Sequence, residues 1–301
     1  CATNRPTATA TTQSVMPQLH QTPEVVSRLK LLRPKLPRKL NEPLLVAPRT
    51  KRYGLIGNAF DYLLRCELKR RAPGAINQKW AAEKAPSIAW DSSPPEPTTH
   101  GRLMGWGMEL MERFPEHERL PPEEVGDRLR TVLQKCRSVY EEYVTRDRVS
   151  RAQAIRMASA CVQLAKLDAV TRARYLDPTV FSAPDMDDVG DIIDMLRIVP
   201  FKSFLSADGI QLNPHFEAFP CDADLIIDRQ LIDFKTTKKP SATAVFLDQL
   251  LAYFLVIRED RRKGIDLPDI DQFGLYFGRF GALWSVPAAV WTEHPEFSAT
   301  E

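Results

Sequence analysis

CDADLIIDRQLIDFKTTKKPSATAVFLDQLLAYF, residues 221–254, decides how this chain is read. Two short apolar runs, DLIID (224–228) and LIDFKT (231–236), are separated by Arg229-Gln230. The spacing predicts two strands joined by a tight hairpin, although Arg-Gln is not a favoured turn pair. Ser241 is then placed to cap a long helix, TAVFLDQLLAYFLVIRED. Side chains alternate along a strand, so Asp233 and Lys235 point the same way. An antiparallel neighbour brings Asp224 alongside them. Two carboxylates and an ammonium then share a small volume, which is costly unless something binds there.

Ligation by oxygen alone favours Mg²⁺ or Mn²⁺ over zinc. Such an ion polarises a phosphodiester oxygen and acidifies a bound water. Lys235 would orient that water or stabilise the negative charge that develops. Asp224 and Asp233 are therefore candidate metal ligands, with the Phe234 carbonyl as a further one, for hydrolysis of a nucleic-acid backbone. The alternative for all three side chains is an ion pair on an edge strand defended by charge. A second acid-x-Lys triplet, Glu67-Leu68-Lys69, falls in a predicted helix without a partner strand and reads as a solvated charge run.

Outward from this segment the character is helical before and extended after. HFEAFPC (215–221) alternates like a strand, and QFGLYFGRF with ALWSV forms a pair of strands around Gly281. GLIGNAFDYLLRCELKRR (54–71) puts Phe60, Leu63, Leu64 and Leu68 on one helical face. Further helices are expected at 101–114, 122–145, 150–174 and 187–198. Residues 72–99 hold five prolines and read as a long loop. Helices, three strands, a helix and two strands make an α/β or α+β chain with one sheet.

The chain has 301 residues, 44% apolar and 27% charged, so wholesale disorder, collagen and coiled-coil rods are excluded. Its best apolar run, Ala244 to Ile257, is broken by Asp248 and Gln249, and no membrane span is expected. Five scattered cysteines without CxxC spacing indicate neither zinc nor a four-cysteine cluster and fit a reducing, cytoplasmic compartment. The net charge is only +2, yet residues 28–52 hold nine basic residues and one acid, Glu42. Residues 1–52 therefore read as an extended basic arm. Lys30, Arg33, Lys35, Arg38, Lys39, Arg49, Lys51 and Arg52 would meet a polyanion, or else form a solvated linker. The Thr- and Ala-rich start, residues 1–15, has no apolar periodicity and is left out of fold reasoning. Lys238 and Lys239, just after the Asp233 strand, could touch phosphate; a plain solvated loop is the other reading.

PCDADLIIDRQLIDFKTTK followed by QLLAY resembles the PD-(D/E)XK nuclease superfamily, closest to its RecB-like branch. In that branch an Asp heads one strand, an acid-x-Lys triplet ends the next, and a Gln-x-x-x-Tyr motif sits on the following helix. Asp224, then Asp233 and Lys235, then Gln249 and Tyr253 match these positions. The resemblance implies a restriction-endonuclease-like core, a central mixed β-sheet flanked by helices, over residues 53–301, with a helical insertion at about 100–200. It implies that Gln249 and Tyr253, which share a helix face at i and i+4, support the site; packing in the core is their bland reading. It also sets Asp61 where many members carry His, as a third metal ligand, although a charge favoured by the helix dipole explains Asp61 equally well. Glu67 is the fallback.

Many RecB-like exonucleases carry a four-Cys iron–sulfur staple with cysteines near the C-terminus. None follows Cys221 here, so no such cluster is expected. No Walker A pattern is present, so no nucleotide is expected either. The function implied is a Mg²⁺-dependent deoxyribonuclease of recombination, repair or defence against foreign DNA, exo- or endonuclease left open. The rival is an inactive nucleic-acid-binding or assembly protein on a nuclease-like fold.

Overall fold

The computed structural model describes residues 23–35, 39–90, 122–173, 175–205, 209–295 and 297. The start of the chain and the helix expected at 101–114 lie outside them. In chain order the elements are α1 (Pro23–Leu31), α2 (Tyr53–Arg71), β1 (Ile76–Asn77), a 3-10 turn (Ala81–Lys84), α3 (Ala85–Trp90), α4 (Pro122–Val144), α5 (Arg151–Arg172) and α6 (Met186–Arg197). Then come β2 (Ile210–Leu212), β3 (His215–Phe216), β4 (Cys221–Asp222), β5 (Leu225–Ile227), β6 (Gln230–Lys235), α7 (Ala244–Arg262), β7 (Gln272–Phe277), β8 (Ala282–Pro287) and α8 (Ala289–Thr292).

The molecule is an α/β protein built on a mixed six-stranded sheet in the order β1-β2-β5-β6-β7-β8. β5 and β6 are antiparallel, with Leu225 opposite Ile232, whereas β6 and β7 run parallel, with Asp233 opposite Leu275. A parallel pair needs a crossover, and α7 supplies it. β3 and β4 form a separate small hairpin.

Alternation along the strands divides the apolar side chains between two cores. Leu225, Ile227, Ile232, Phe234 and Tyr276 join the helical layer of α2, α4, α5 and α6. Ile226, Leu231, Phe273, Leu275 and Phe277 join Leu247, Leu250, Leu251 and Phe254 of α7. Asp233 and Lys235 share the parity of Leu231, so they face α7. The sheet is thus covered on both faces, which suits strands that read as nearly continuous apolar runs. Among the described residues no helix is long and apolar enough to cross a membrane.

Several local expectations are corrected. Part of the arm expected to be extended is helical: α1 buries Leu29, and Leu32 just after it is buried too. Residues 72–99 are not a plain loop, since β1, a 3-10 turn and α3 lie within them. HFEAFPC is not one strand. The Asp260 carboxylate accepts hydrogen bonds from the amides of Glu217, at 2.8 Å, and Ala218, and so fixes a turn between β3 and β4. The β5–β6 turn falls one residue early, on Asp228-Arg229, with Asp228 at φ 51°. Asp tolerates the left-handed region better than most residues, which answers the poor turn score of Arg-Gln. Thr243, not Ser241, caps α7, its hydroxyl accepting from the Phe246 amide. β2 was not expected; three residues carry too little pattern and owe their pairing to β5.

Candidate functional site

The site forms where β5 begins and β6 ends. The antiparallel register that pairs Leu225 with Ile232 sets Asp224 opposite Asp233. Asp224 Oδ2 accepts the Phe234 amide at 2.6 Å, which pins this carboxylate beside the Asp233 backbone. Asp233 is 2% exposed and forms an ion pair with Lys235, without a well-directed hydrogen bond to the oxygen that faces the ammonium. Lys235 Nζ donates to Gln249 Oε1 at 3.0 Å and lies 4.7 Å from the centre of the Phe246 ring. Gln249 Nε2 donates to Tyr253 Oη at 3.0 Å, and Tyr253 Oη donates to the Asp222 carbonyl at 2.9 Å. One hydrogen-bonded row therefore runs from the end of β6, along one face of α7, to the end of β4.

Burial pushes the Asp233 carboxyl up to about 7; Lys235 opposes the shift and Asp224 adds to it. Burial likewise raises Tyr253 well above the usual phenol range. Asp61, on α2, is raised by desolvation and by Asp224 against the pull of Arg65. The three carboxylates are thus within electrostatic reach of one another through Asp224. Gly57, one turn before Asp61, lets α2 approach the end of β6, where an added Cβ would stand 3.1 Å from Thr236 Oγ1.

Asp224, Asp233, Lys235, Gln249 and Tyr253 are brought together. Asp61 is held by an ion pair with Arg65, which leaves its Oδ1 buried with no hydrogen-bond partner. Among the described residues no group of three or more His, Cys, Asp or Glu side chains encloses a space for a metal ion. Glu67 is locked by Arg70, Arg71 and the Tyr143 hydroxyl, so it is a structural acid.

The basic residues divide. Arg33 makes a two-pronged contact with Asp248, at 2.7 and 2.6 Å, beneath α7. Arg49 pairs with Asp194, and Arg52 with Asp185 and Asp188, all at α6. Lys30, Lys35, Lys39 and Lys51 are exposed, and Arg38 lies outside the described residues. Lys39 bridges to Ser241, so the arm passes beside the loop that follows β6. Lys238 and Lys239 are exposed there, Lys238 Nζ resting 4.7 Å from the centre of the Tyr53 ring. Asp248 is 1% exposed, so Arg33→Ala should lower stability by about 2 kcal/mol, the worth of a hydrogen bond to a buried charge. Chemical denaturation reads this; an unchanged midpoint would return Arg33 to the pool of phosphate contacts.

Four neighbours were not promoted from the sequence: Arg65 of α2, Arg172 of α5, Asp222 of β4, and His215 of β3, which was passed over because it does not lie on a helix. Asp222 had a signal, standing two residues before Asp224. Arg172 had none. Comparison with protein-family models, with curated proteins and with solved structures finds no match for this chain.

Proposed function

We propose that this chain is a divalent-metal-dependent nuclease of restriction-endonuclease-like fold, in the RecB-like branch of the PD-(D/E)XK superfamily, acting on DNA. The observation that carries the reading is the row Lys235–Gln249–Tyr253–Asp222 carbonyl laid beside the facing pair Asp224 and Asp233. A surface ion pair on a charge-defended edge strand needs neither the burial nor the helix contacts, and β6 lies inside the sheet, between β5 and β7.

The donors fit a hard cation. They are carboxylate oxygens, and the buried Oδ1 of Asp61 lacks a partner. Asp224 and Asp233 would hold Mg²⁺ or Mn²⁺, with Asp61 as third acid once released from Arg65. The ion supplies positive charge that polarises a phosphodiester oxygen and acidifies water. Lys235 orients the attacking water and offsets the negative charge developing on the phosphoryl oxygens. Gln249 holds the ammonium in place, and Tyr253 holds Gln249. The exposed lysines of the arm and of the loop after β6 meet backbone phosphates without reading sequence.

The test incubates the protein with linear and circular DNA in Mg²⁺, Mn²⁺ or EDTA. Metal-dependent degradation supports the reading; a requirement for ends makes the enzyme an exonuclease, and cutting of circles an endonuclease. The Arg65–Asp61 ion pair favours a second reading, a nucleic-acid-binding protein without turnover, because it neutralises the third acid. Metal-indifferent DNA binding with no cleavage would establish that one instead.

Metal binding should also be visible without activity. Because its folded pKa is raised from 3.8 to about 7, Asp233 contributes stability that is full at low pH and lost as pH rises through about 7. A cation replaces the departed proton. The rise in melting temperature caused by Mg²⁺ should therefore be larger at pH 8 than at pH 6, and Asp233→Asn should shrink the difference, leaving the share due to Asp61. Equal shifts at both pH values would count against Asp233 as a ligand.

A further inference from the structure

Beside the site lies a charged cluster that the proposed reaction does not use. Asp222 ends β4 and precedes Asp224 by two residues, with buried Ala223 between them. Its carboxylate meets two basic side chains, one on each oxygen. His215 Nδ1 meets Oδ1 at 2.7 Å, and Arg172 Nη2 donates to Oδ2 at 3.3 Å. Arg172 Nε is also fixed, by Asp168 at 3.1 Å. The acid is the most buried of the three: side-chain exposure is 9% for Asp222, 30% for Arg172 and 41% for His215. The Asp222 carbonyl receives the Tyr253 hydroxyl, so the cluster is tied to the end of the Lys235 row.

We propose that His215 and Arg172 form a phosphate-binding subsite, which takes a phosphate of the substrate strand next to the one being cleaved. The proposal rests on the nuclease reading and deepens it. Both basic side chains are partly exposed, and the Asp222 carboxylate, joined at Arg172 by Asp168, sets their direction. Oriented, partly desolvated cations of this kind bind phosphate oxygens better than mobile surface lysines do. Asp222 also favours the protonated imidazole, first by its hydrogen bond; Glu217 assists from the β3–β4 turn, while burial and Lys84 of the 3-10 turn oppose it. A phosphodiester within the strand and a terminal phosphomonoester both present non-bridging phosphate oxygens, so both are candidates for the subsite.

The test uses the full chain carrying Lys235→Ala, which blocks turnover, and a set of single-stranded oligodeoxynucleotides in which one phosphate at a time is a neutral methylphosphonate. Fluorescence anisotropy reads affinity. One position is expected to weaken binding about tenfold, and His215→Gln is expected to weaken binding by the same factor while abolishing the sensitivity to that position alone. Arms with a 5′-phosphate, a 3′-phosphate or no terminal phosphate show whether the sensitive group is internal or terminal. Arg172→Lys should restore part of what Arg172→Gln loses. His215 is exposed, so its variant tests the idea even if the Arg172 variants fail to fold. If His215→Gln leaves every methylphosphonate penalty unchanged, the subsite is overturned. The two ideas fail separately. Metal-dependent cleavage by the parent chain without the His215 coupling removes the subsite and leaves the nuclease; the coupling without any cleavage removes the hydrolysis and leaves a phosphate site.

Discussion

Lys235→Ala is expected to reduce metal-dependent hydrolysis about a thousandfold, the scale for removing a preorganised charged group from a reacting centre. That factor corresponds to about 4 kcal/mol of transition-state stabilisation. Three contacts fix this ammonium: the Asp233 carboxylate, the Gln249 carbonyl oxygen and the Phe246 ring. In the proposed reaction, loss of the side chain removes positive charge from the place where negative charge develops. It also removes a cation that competes for Asp233, so metal affinity should hold or rise while kcat falls. DNA affinity, which the proposal assigns to the exposed lysines, should stay within a few-fold. The protein should still fold, because Asp233 without its counter-ion can take up a proton rather than remain buried and charged. Lys235→Arg should not rescue the rate, since a planar guanidinium does not occupy the place of an ammonium held between Gln249 and Asp233. Single-turnover kinetics, with metal titrated separately, read both effects. Full activity in Lys235→Ala would remove Lys235 from the reacting centre and overturn the site as drawn here.

The largest stability loss is expected at Arg279 and Asp191. Both side chains are fully buried, and the guanidinium grips the carboxylate through Nη1 and Nη2 at 2.7 and 2.9 Å. Arg279 Nε also donates to the Thr236 carbonyl at 3.0 Å, one residue beyond Lys235. Its own carbonyl accepts the Leu45 and Val46 amides, each at 3.1 Å. One residue thus joins the β7–β8 turn, α6, the strap at 45–46 and the backbone behind the candidate site. Arg279→Met or Asp191→Leu alone strands a buried charge and should cost about 3–5 kcal/mol, a large share of the roughly 5–15 kcal/mol that keeps a domain folded. The double variant removes both charges and should lose less than either single one. Urea denaturation of the set decides. Two single losses below about 1 kcal/mol, or strictly additive losses, would mean that the pair is not a closed unit.

The long-range pairing of the basic residues was not open to a local reading. Arg33, Arg49 and Arg52 belong to a compositional run that reads as one polycation. Their partners Asp248, Asp194, Asp185 and Asp188 lie more than 130 residues away in the chain. Nothing local marks an arginine as spent on a distant acid. Asp61 shows the converse: its partner Arg65 is one helical turn on, and the i, i+4 spacing was open to view.

What the sequence determined by itself are the features governed by short range. The 3.6-residue stripes set α2, α4, α5, α6 and α7. The alternation of Leu231 to Lys235 put acid and lysine on one side of a strand. The i, i+4 spacing put Gln249 and Tyr253 on one face of a helix. Only the tertiary structure decided that this face meets Lys235, that Asp222 supports His215 and Arg172, and that the 45–52 strap is tied to α6 and to the turn after β7. Periodicity is a property of neighbours a few residues apart. Charge pairing across 50 to 215 residues depends on which surfaces the two cores press together, and no local pattern encodes it.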